Sequence, residues 1–346
     1  MSGVQARGGT LDFEGLQDLI DSHYRFQLLN AAVKLDLFTL LRKPANASDI
    51  AQMLGLAPQP LVMLLTGCEA LGLLVQEAGR YRSSEIAALA LVPGAPFDQL
   101  PLVRFADEVT YPGASRLYEA LLENRNAGAE FLKGEGDTLY ARLDSNPAAA
   151  AAFEGMMGTV TRHVTQRLMR EIDLSAGGDL LDVAGGGCEL AIALVDRWAD
   201  LNVTVMDLPR VVEEARDRLL TSGQGDRVTL AAGDVFSADL PGCDYLVIAH
   251  FLEIWSEERC RGLLKSAAQA LRPEGRIYLI NMVRDDSGKA PFACTASSLY
   301  FHAIASGEGM VRRWQVYEDW LDGSGFVVER RVALTPMHGL IVARRA

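Results

Sequence analysis

A glycine-rich segment at residues 182–188 (DVAGGGC) has the residue types of a loop that holds a nucleotide. Asp182 ends a predicted strand, and Gly185, Gly186 and Gly187 precede a predicted helix. Small residues at this point allow the backbone to turn tightly and to approach a ligand closely. The segment therefore predicts a nucleotide or nucleoside site.

Two further carboxylates follow the next two predicted strands. Asp207 ends the second strand, where a carboxylate can accept hydrogen bonds from both hydroxyls of a ribose. Asp234 follows the third strand, where its side chain can accept a hydrogen bond from an adenine amino group. Three such features in register behind three successive strands favour a ligand that contains adenosine.

A nicotinamide dinucleotide is the main competing ligand for this loop. Gly185 and Gly187 could begin a G-x-G-x-x-G fingerprint, but Leu190 stands where the third glycine belongs. The D-x-x-x-G pattern from Asp182 to Gly186, with acids after the second and third strands, resembles instead the S-adenosylmethionine site of Rossmann-like methyltransferases.

The elements that must position these residues alternate between strands and helices. Short apolar runs predict buried parallel strands at residues 180–183, 203–206, 228–230, 245–248 and 277–280. Helices are predicted around residues 190–197, 212–220, 256–271 and 314–323, and closing strands at 327–332 and 339–343. This order predicts a doubly wound, Rossmann-like α/β sheet, which binds ligands beyond the carboxyl ends of its strands.

The part of the chain before this sheet is predicted to be mainly helical. Apolar residues at three- and four-residue steps predict helices at residues 13–40, 48–55, 60–71, 102–122 and 140–172. Ser48 is the expected N-cap of the second helix, and Gly55 is its expected end. A hairpin is predicted from residue 73 to residue 81, so that two helices and a hairpin form a winged helix.

The winged helix is not predicted to bind DNA. Its candidate recognition helix, residues 60–71, contains no Lys or Arg with which to hold phosphates. The whole chain has 33 Lys and Arg against 45 Asp and Glu, a net charge of −12, which also argues against an anionic membrane surface. Packing or dimerisation is therefore the expected role of this element.

Composition and cysteine usage indicate a globular protein of the cytoplasm. Of 346 residues, 49% are hydrophobic and 23% are charged, which provides a sizeable core. No apolar run approaches the roughly 18 residues of a membrane span, and the first residues lack the apolar stretch of a secretory signal. The five cysteines are scattered and form no C-x-x-C pair, which fits a reducing compartment: Cys68, Cys188, Cys243, Cys260 and Cys294.

Several further motifs resemble the caffeic acid and hydroxyindole O-methyltransferase family. Residues 250–260 (HFLEIWSEERC) are similar to its H-D-W-S-D-E-x-C segment, residues 205–209 (VMDLP) to its D-L-P, and residues 147–157 to its P-x-x-x-x-x-F-x-x-x-M helix. The resemblance covers the chain from about Leu16 onward. It implies a homodimer with a dimerisation domain at residues 1–105 and an S-adenosylmethionine-binding catalytic domain at residues 106–346.

The resemblance also implies roles around the cofactor. Asp207 and Leu208 would hold the ribose, and Asp234 and Val235 would hold the adenine. Three positions depart from the family pattern: Ala184 and Cys188 replace the outer glycines, and Ala249 stands where a cofactor-contacting lysine is common. We expect the side chain of Cys188 to lie near the path by which the cofactor approaches.

Both members of the family's catalytic His–acid pair are replaced in this sequence. The resemblance places Glu253 at the position of the His and Asn281 at that of its acidic partner. A phenol needs its proton removed as it attacks, and a free Glu is less basic than His by about two pKa units. Burial can raise the pKa of a carboxyl towards neutrality. We therefore predict that Glu253 is the base, and that Asn281 holds either Glu253 or a carbonyl group of the substrate.

His250 is the alternative base. If its segment is helical, His250 and Glu253 share a face and can form an acid–base pair; His250 can equally be a core residue. Residues implied to lie beside the acceptor are Phe153, Met157, Thr161, His302 and Met310. Met and aromatic residues at this spacing also occur in cores. The spacing of the histidines is not diagnostic of a metal, and none is predicted.

These features leave three functions open. The leading interpretation is methylation of oxygen or carbon on a small aromatic acceptor of secondary metabolism. The altered base is also compatible with an enzyme that has lost methyl transfer and catalyses hydroxylation, decarboxylation or a pericyclic rearrangement. The remaining alternative is a winged-helix binding protein.

Overall fold

The computed structural model describes residues 11–346 and divides them into two units, one ending at Asp107 and the other beginning at Glu108. The predicted absence of a secretory signal concerns residues 1–10, which lie outside the described residues. In the described part, no single helix is long and apolar enough to span a membrane, although two helices bent by 112° reach the required length and composition together.

The first unit is helical and carries a small antiparallel sheet. Its elements are α1 (Phe13–Ile20), α2 (Ser22–Lys34), α3 (Leu37–Leu40), β1 (Ala45–Asn46), α4 (Ala47–Leu54), α5 (Pro58–Ala70), β2 (Leu74–Glu77), β3 (Arg80–Ser83), α6 (Glu85–Ala90) and α7 (Leu100–Phe105). The strands lie in the order β1-β3-β2. The two predicted helices and the hairpin of the winged helix are therefore present.

Two details of this unit differ from the sequence prediction. The prediction of a single helix over residues 13–40 is wrong, because the chain forms three helices there. The first break lies at Asp21, and the second lies at Asp36, which adopts a left-handed conformation (φ 52°). Ser48 is not the N-cap of α4: the Asn46 side chain accepts a hydrogen bond from the Asp49 N–H at 2.9 Å. Gly55 ends α4 with φ 65°, as predicted.

The second unit begins with short helices. They are a π-helical turn (Ala106–Thr110, shared across the boundary), α8 (Tyr111–Ala114), α9 (Leu117–Glu123), 3₁₀ turns (Ala127–Phe131 and Leu143–Ser145), α10 (Leu139–Arg142) and α11 (Pro147–Glu171). The continuous helices predicted for 102–122 and 140–172 are thus interrupted. Pro112 and Pro147 lie in the first turns of new helices, where a missing backbone N–H costs nothing.

The remaining chain forms the predicted α/β sheet. Its elements are β4 (Gly178–Val183), α12 (Glu189–Arg197), β5 (Leu201–Asp207), α13 (Pro209–Ser222), β6 (Val228–Ala232), β7 (Cys243–Ala249), a 3₁₀ turn (Leu252–Ile254), α14 (Glu257–Ala270), β8 (Leu271–Arg284), α15 (Phe292–Tyr300), a π-helical turn (Phe301–Ala305), β9 (Arg312–Arg313), α16 (Trp314–Asp322), β10 (Phe326–Ala333) and β11 (His338–Arg345). The strand order is β10-β11-β8-β7-β4-β5-β6, with β9 paired to β8.

The sheet is parallel from β4 to β8 and antiparallel at β10 and β11. Alternate residues of β4 enter different apolar clusters: Leu181 and Val183 pack with α14 and α16, whereas Leu180 packs with α11 and α12. Both faces of the strand are therefore buried, which explains why apolar residues occupy both sides of it and confirms the doubly wound prediction.

Candidate active site

The carboxyl ends of the parallel strands bring the predicted site residues to one edge of the sheet. The glycine loop follows β4, Asp207 ends β5, Asp234 follows β6, and Glu253 follows β7. Asn281 lies in β8, one residue beyond the Ile280 that pairs with Ala249 of β7. Residues that are far apart in the sequence therefore share the edge where a doubly wound sheet binds its ligand.

The glycine loop has a backbone that side chains would obstruct. A Cβ on Gly185 would lie 2.6 Å from Oδ2 of Asp182 and 2.9 Å from Cγ1 of Val205. Gly186 has φ 58°, a conformation that favours glycine, and a Cβ there would meet nothing within 4 Å. The loop thus packs closely against β4 and β5 at Gly185 and borders open space at Gly186.

Asp182 is a buried carboxyl beneath this loop. Its side chain is 1% exposed, and neither carboxylate oxygen has a hydrogen-bond partner among residues 11–346. Burial, with a smaller contribution from the charge of Asp207, raises the pKa of Asp182 to about 7. Because an unpaired buried polar group is costly, this carboxyl is suited to a ligand that supplies hydrogen-bond donors.

Asp207 connects β5 to the glycine loop. Its Oδ2 accepts a hydrogen bond from the Gly186 N–H at 2.9 Å, and its Oδ1 accepts one from the Leu208 N–H at 2.7 Å. Burial raises the pKa of Asp207, and these two hydrogen bonds oppose that rise. Each carboxylate oxygen retains a second lone pair, so the side chain can still accept hydrogen bonds from two hydroxyls.

Asp234 and Val235 follow β6 in a tight turn. Oδ1 of Asp234 accepts a hydrogen bond from the Phe236 N–H at 3.0 Å, and its side chain is exposed. Val235 is buried in the apolar cluster that contains α14 and α16. Asp234 can therefore offer a carboxylate oxygen to a ligand, whereas Val235 can offer only its backbone.

The position of Cys188 corrects one sequence expectation. Its side chain is fully buried in the cluster formed by α11, α12 and β5, and burial raises the pKa of its thiol to about 12. The expectation that the thiol lies near the cofactor's approach path is wrong, because the left-handed conformation of Cys188 (φ 66°) turns its side chain into the core. Ala184 also has a positive φ, 56°.

Glu253 and Asn281 form a buried polar pair. Glu253 is 1% exposed, and its Oε1 accepts a hydrogen bond from the Met282 N–H at 3.2 Å. The Asn281 amide, with its nitrogen towards the carboxylate, donates to Oε2 of Glu253 and to the Ile280 carbonyl at 3.3 Å. Burial raises the pKa of Glu253 to about 7, although the Met282 hydrogen bond and the charge of Arg312 oppose the rise.

His250 does not pair with Glu253 through a helix. It has φ 54°, so the helical geometry on which that pairing depended is absent at His250. Its ring instead meets the ring of His338 edge-on, with centroids 5.1 Å apart, and the Thr335 hydroxyl lies 3.0 Å from Nδ1 of His338. Burial lowers the pKa of His250 to about 3, with a further contribution from His338, so the ring is neutral near pH 7.

The predicted acceptor residues fall into two groups. Phe153, Met157 and Thr161 are partly buried at four-residue steps along one face of α11. This helix lies against the start of α12, since a Cβ on Gly158 would be 2.8 Å from Oε1 of Glu189. His302 instead contacts the Ala120 carbonyl through Nε2 at 3.2 Å. Met310 is 41% exposed.

Tyr140 and Tyr300, which the sequence did not single out, belong to an aromatic cluster that joins α11 to the turn that carries Glu253. The Tyr140 ring meets Phe153 edge-on at 5.7 Å and lies 6.1 Å from Trp255, measured between ring centroids. The Tyr140 hydroxyl is hydrogen-bonded to that of Tyr300, and burial raises the pKa of both phenols. No short-range spacing marks Tyr140 and Tyr300, because 160 residues separate them.

Comparisons with known proteins show the family of this chain. The O-methyltransferase dimerisation domain model matches residues 17–93, and the O-methyltransferase domain model matches residues 115–327. The L-tyrosine C(3)-methyltransferase of Streptomyces lavendulae is 34% identical over 343 residues, which cover 97% of this chain and 93% of the relative. The 3-hydroxy-5-methyl-1-naphthoate 3-O-methyltransferase of Streptomyces sahachiroi is 31% identical over 90% of this chain and 88% of its own length.

Solved structures show the same fold. The S-adenosylmethionine-dependent methyltransferase SibL, in its apo form, superposes with a TM-score of 0.81 at 32% identity, over 96% of this chain and 99% of its own. Human N-acetylserotonin methyltransferase in complex with S-adenosylmethionine superposes with a TM-score of 0.85 at 23% identity, over 100% of both chains.

Proposed function

The chain belongs to the O-methyltransferase family, and from this premise we propose that it methylates a phenolic small molecule, with Glu253 as the general base. The family match and the relatives show that the chain is an S-adenosylmethionine-dependent methyltransferase, as the sequence resemblance implied. The acceptor and the roles of individual residues are the subject of the proposal. We propose that the methyl group goes to the phenol oxygen or to a ring carbon beside it.

The observation that carries this proposal is the environment of Glu253. A buried carboxyl whose pKa lies at about 7 is half ionised at neutral pH and is therefore a much better base than an exposed Glu. Asn281 and the Met282 N–H hold its two oxygens without providing a proton acceptor of their own. Glu253 and Asn281 thus replace the His and acid of the family motif as a matched pair.

The residues at the sheet edge suit the adenosyl cofactor. The unpaired carboxyl of Asp182, the open space beside Gly186 and the free lone pairs of Asp207 fit a ligand that carries an amine and a ribose. In the proposed arrangement Asp207 and Leu208 hold the ribose, and Asp234 and Val235 hold the adenine. Gly186 borders the open space for the ligand, Gly185 and Gly187 let the loop pack closely against neighbouring side chains, and Ala249 stands where the family resemblance leads us to expect a lysine. When bound, S-adenosylmethionine supplies an electrophilic methyl group.

Side chains around the acceptor would bind it, orient it and remove its proton. Phe153, Tyr140 and Trp255 provide aromatic surfaces against which a flat ring can pack. Glu253 accepts the phenol proton, and the resulting phenolate has more electron density on its oxygen and on the neighbouring ring carbons. When a ring carbon takes the methyl group, the hydrogen on that carbon afterwards leaves as a proton, the phenol oxygen regains a proton, and the ring becomes aromatic again. Fixing the acceptor in line with the methyl group supplies much of the acceleration, since a displacement of this kind depends on orientation.

Activity assays with defined acceptors test the proposal. The protein is incubated with methyl-labelled S-adenosylmethionine and either phenolic amino acids or hydroxynaphthoates, and the labelled position of the product is found by NMR. Labelled product together with S-adenosylhomocysteine supports the proposal. Cofactor binding without S-adenosylhomocysteine formation on any phenol would contradict it and favour an enzyme that has lost methyl transfer.

Turnover is expected to rise with pH through about pH 7 and to level off above it. The sign follows from the base role, because the active form of Glu253 is its carboxylate and the pKa of that carboxyl lies at about 7. Asp182 titrates in the same range, so kcat is measured at saturating cofactor. Glu253→Gln removes the titrating base and should flatten the profile, whereas an unchanged profile would exclude Glu253 as the base.

The first unit is proposed to form a homodimer. It contains the match to the dimerisation domain, and α1 exposes large apolar side chains: Phe13 (76% exposed), Leu16, Leu19 and Ile20. Exposed apolar patches of this kind mark protein interfaces. Light scattering should give twice the 37.6 kDa mass of one chain, and Leu19→Glu should shift the protein towards the monomer. An unshifted mass would place the interface elsewhere.

A further inference from the structure

A buried arginine lies against the turn that carries Glu253. Arg312 is 9% exposed and stands in β9, which pairs with β8 beside Val283. Its Nη2 donates to the Trp255 carbonyl at 2.9 Å, and its Nη1 donates to the carbonyls of Met310 at 3.1 Å and Leu252 at 3.5 Å. One guanidinium therefore reaches backbone groups on both sides of Glu253.

The segment before Arg312 closes on the same turn. The Ser306 hydroxyl donates to the Ile254 carbonyl. Gly309 permits a close approach, because a Cβ there would lie 2.5 Å from the Glu253 carbonyl oxygen. Residues 306–312 thus pack against and hydrogen-bond to the backbone carbonyls of residues 252–255, and the guanidinium of Arg312 is the charged group in this contact.

The charge of Arg312 also acts on the Glu253 carboxylate. The titratable side chains that interact with Glu253 are Tyr140, Cys260, Tyr317 and Arg312. Burial raises the pKa of both phenols and of the Cys260 thiol, so these three groups stay uncharged near pH 7. Arg312 is thus the charged member of the set, and a nearby positive charge favours the ionised form of a carboxyl.

We propose that Arg312 is the positioning residue for Glu253: it fixes the turn that presents the carboxyl group, and its charge favours the ionised form of that group. Its hydrogen bonds go to backbone carbonyls, so it acts through Glu253 and does not itself contact the acceptor. The catalytic part of this inference rests on the proposed function, in which Glu253 is the base. The ionisation of Glu253 can nevertheless be measured without any methyl transfer.

The test is a titration of the Glu253 carboxyl by infrared difference spectroscopy. Spectra of each protein minus its Glu253→Gln counterpart, recorded from about pH 5 to about pH 9, isolate this carboxyl in the absence of acceptor. Arg312→Met keeps the length of the side chain and removes its charge, so the midpoint should rise by about one pH unit. Arg312→Lys keeps the charge and should leave the midpoint near that of the wild type.

A second measurement separates the effect of Arg312 on the position of the turn from the effect of its charge on Glu253. Arg312→Lys keeps the charge but lacks the planar fork with which the guanidinium reaches the Leu252 and Trp255 carbonyls, so kcat should fall about tenfold with no change in the affinity for S-adenosylhomocysteine. Arg313→Met is the control, since Arg313 is exposed and should alter neither quantity. If Arg312→Met does not bind S-adenosylhomocysteine, Arg312→Gln replaces it in the titration.

Two results would overturn the inference. A midpoint that stays unshifted in the charge-removing variant would show that Arg312 does not control the ionisation of Glu253. A value of kcat for Arg312→Lys equal to that of Arg313→Met would show that it does not position the turn. A wild-type protein that transfers no methyl group would contradict the proposed function instead, and the infrared titration would still decide the ionisation of Glu253.

Discussion

Glu253→Gln is expected to lower turnover by about 10²–10⁴-fold, the range associated with loss of a general base. Gln has nearly the same shape as Glu and can still accept the Met282 N–H hydrogen bond, so the turn should remain folded. It cannot take a proton from the acceptor. The measurement is the single-turnover rate of methyl transfer, accompanied by calorimetry to confirm that S-adenosylhomocysteine binds within about twofold of the wild-type affinity.

The control for this substitution is Glu257→Gln. Glu257 lies four residues later, at the exposed start of α14, where it pairs with Arg261 at 2.7 Å. The Glu257→Gln variant should transfer the methyl group at the wild-type rate. If Glu253→Gln retained activity and His250→Ala abolished it, the roles of the two residues would be reversed.

The acidity of the acceptor phenol provides a more specific test of whether Glu253 removes a proton. A more acidic phenol is already partly ionised near neutral pH and needs less help from a base. The rate lost in Glu253→Gln should therefore shrink as the pKa of the phenol falls. A loss that is the same for every phenol would indicate that Glu253 orients the acceptor and does not remove its proton.

Local sequence patterns were sufficient for the parts of the fold that depend on neighbours in the chain. The five parallel strands of the second unit were predicted because each contains a short apolar run next to a turn. The end of α4 at Gly55 was predicted because a left-handed residue at a helix end is usually glycine. The cap at Asn46 was missed because Ser48, two residues later, is an equally good capping residue.

Distant contacts could not be predicted from the sequence. The Glu253–Asn281 pair was reached only through the family motif, since nothing in either segment indicates that the two strands β7 and β8 are adjacent. A pairing of His250 with Glu253 was one alternative because the two are close in the chain, whereas the ring that His250 contacts, that of His338, lies at the start of β11. Arg312 carried no local signal at all.

Asp207→Ala is expected to weaken the binding of S-adenosylmethionine by about 10²-fold or more. In the proposed arrangement each carboxylate oxygen accepts a ribose hydroxyl, and a hydrogen bond to a charged group contributes about 1.5–3 kcal/mol. The substitution also releases the Gly186 N–H, which Asp207 holds at 2.9 Å, so the glycine loop loses its attachment to β5. Calorimetric titration of the cofactor measures the change directly.

Asp207→Asn separates these two contributions to the affinity. Asn can keep one acceptor oxygen for the loop or for the ribose but carries no charge, so its loss in affinity should be smaller than that of Asp207→Ala, about tenfold. Asp239→Ala, at an exposed position after β6, serves as the control and should bind with wild-type affinity. If Asp207→Ala bound the cofactor as tightly as this control, another residue would hold the ribose. The edge of the sheet beside Gly186 would then have to be reassigned, because the proposal depends on the Asp207 carboxylate, which accepts a hydrogen bond from the Gly186 N–H.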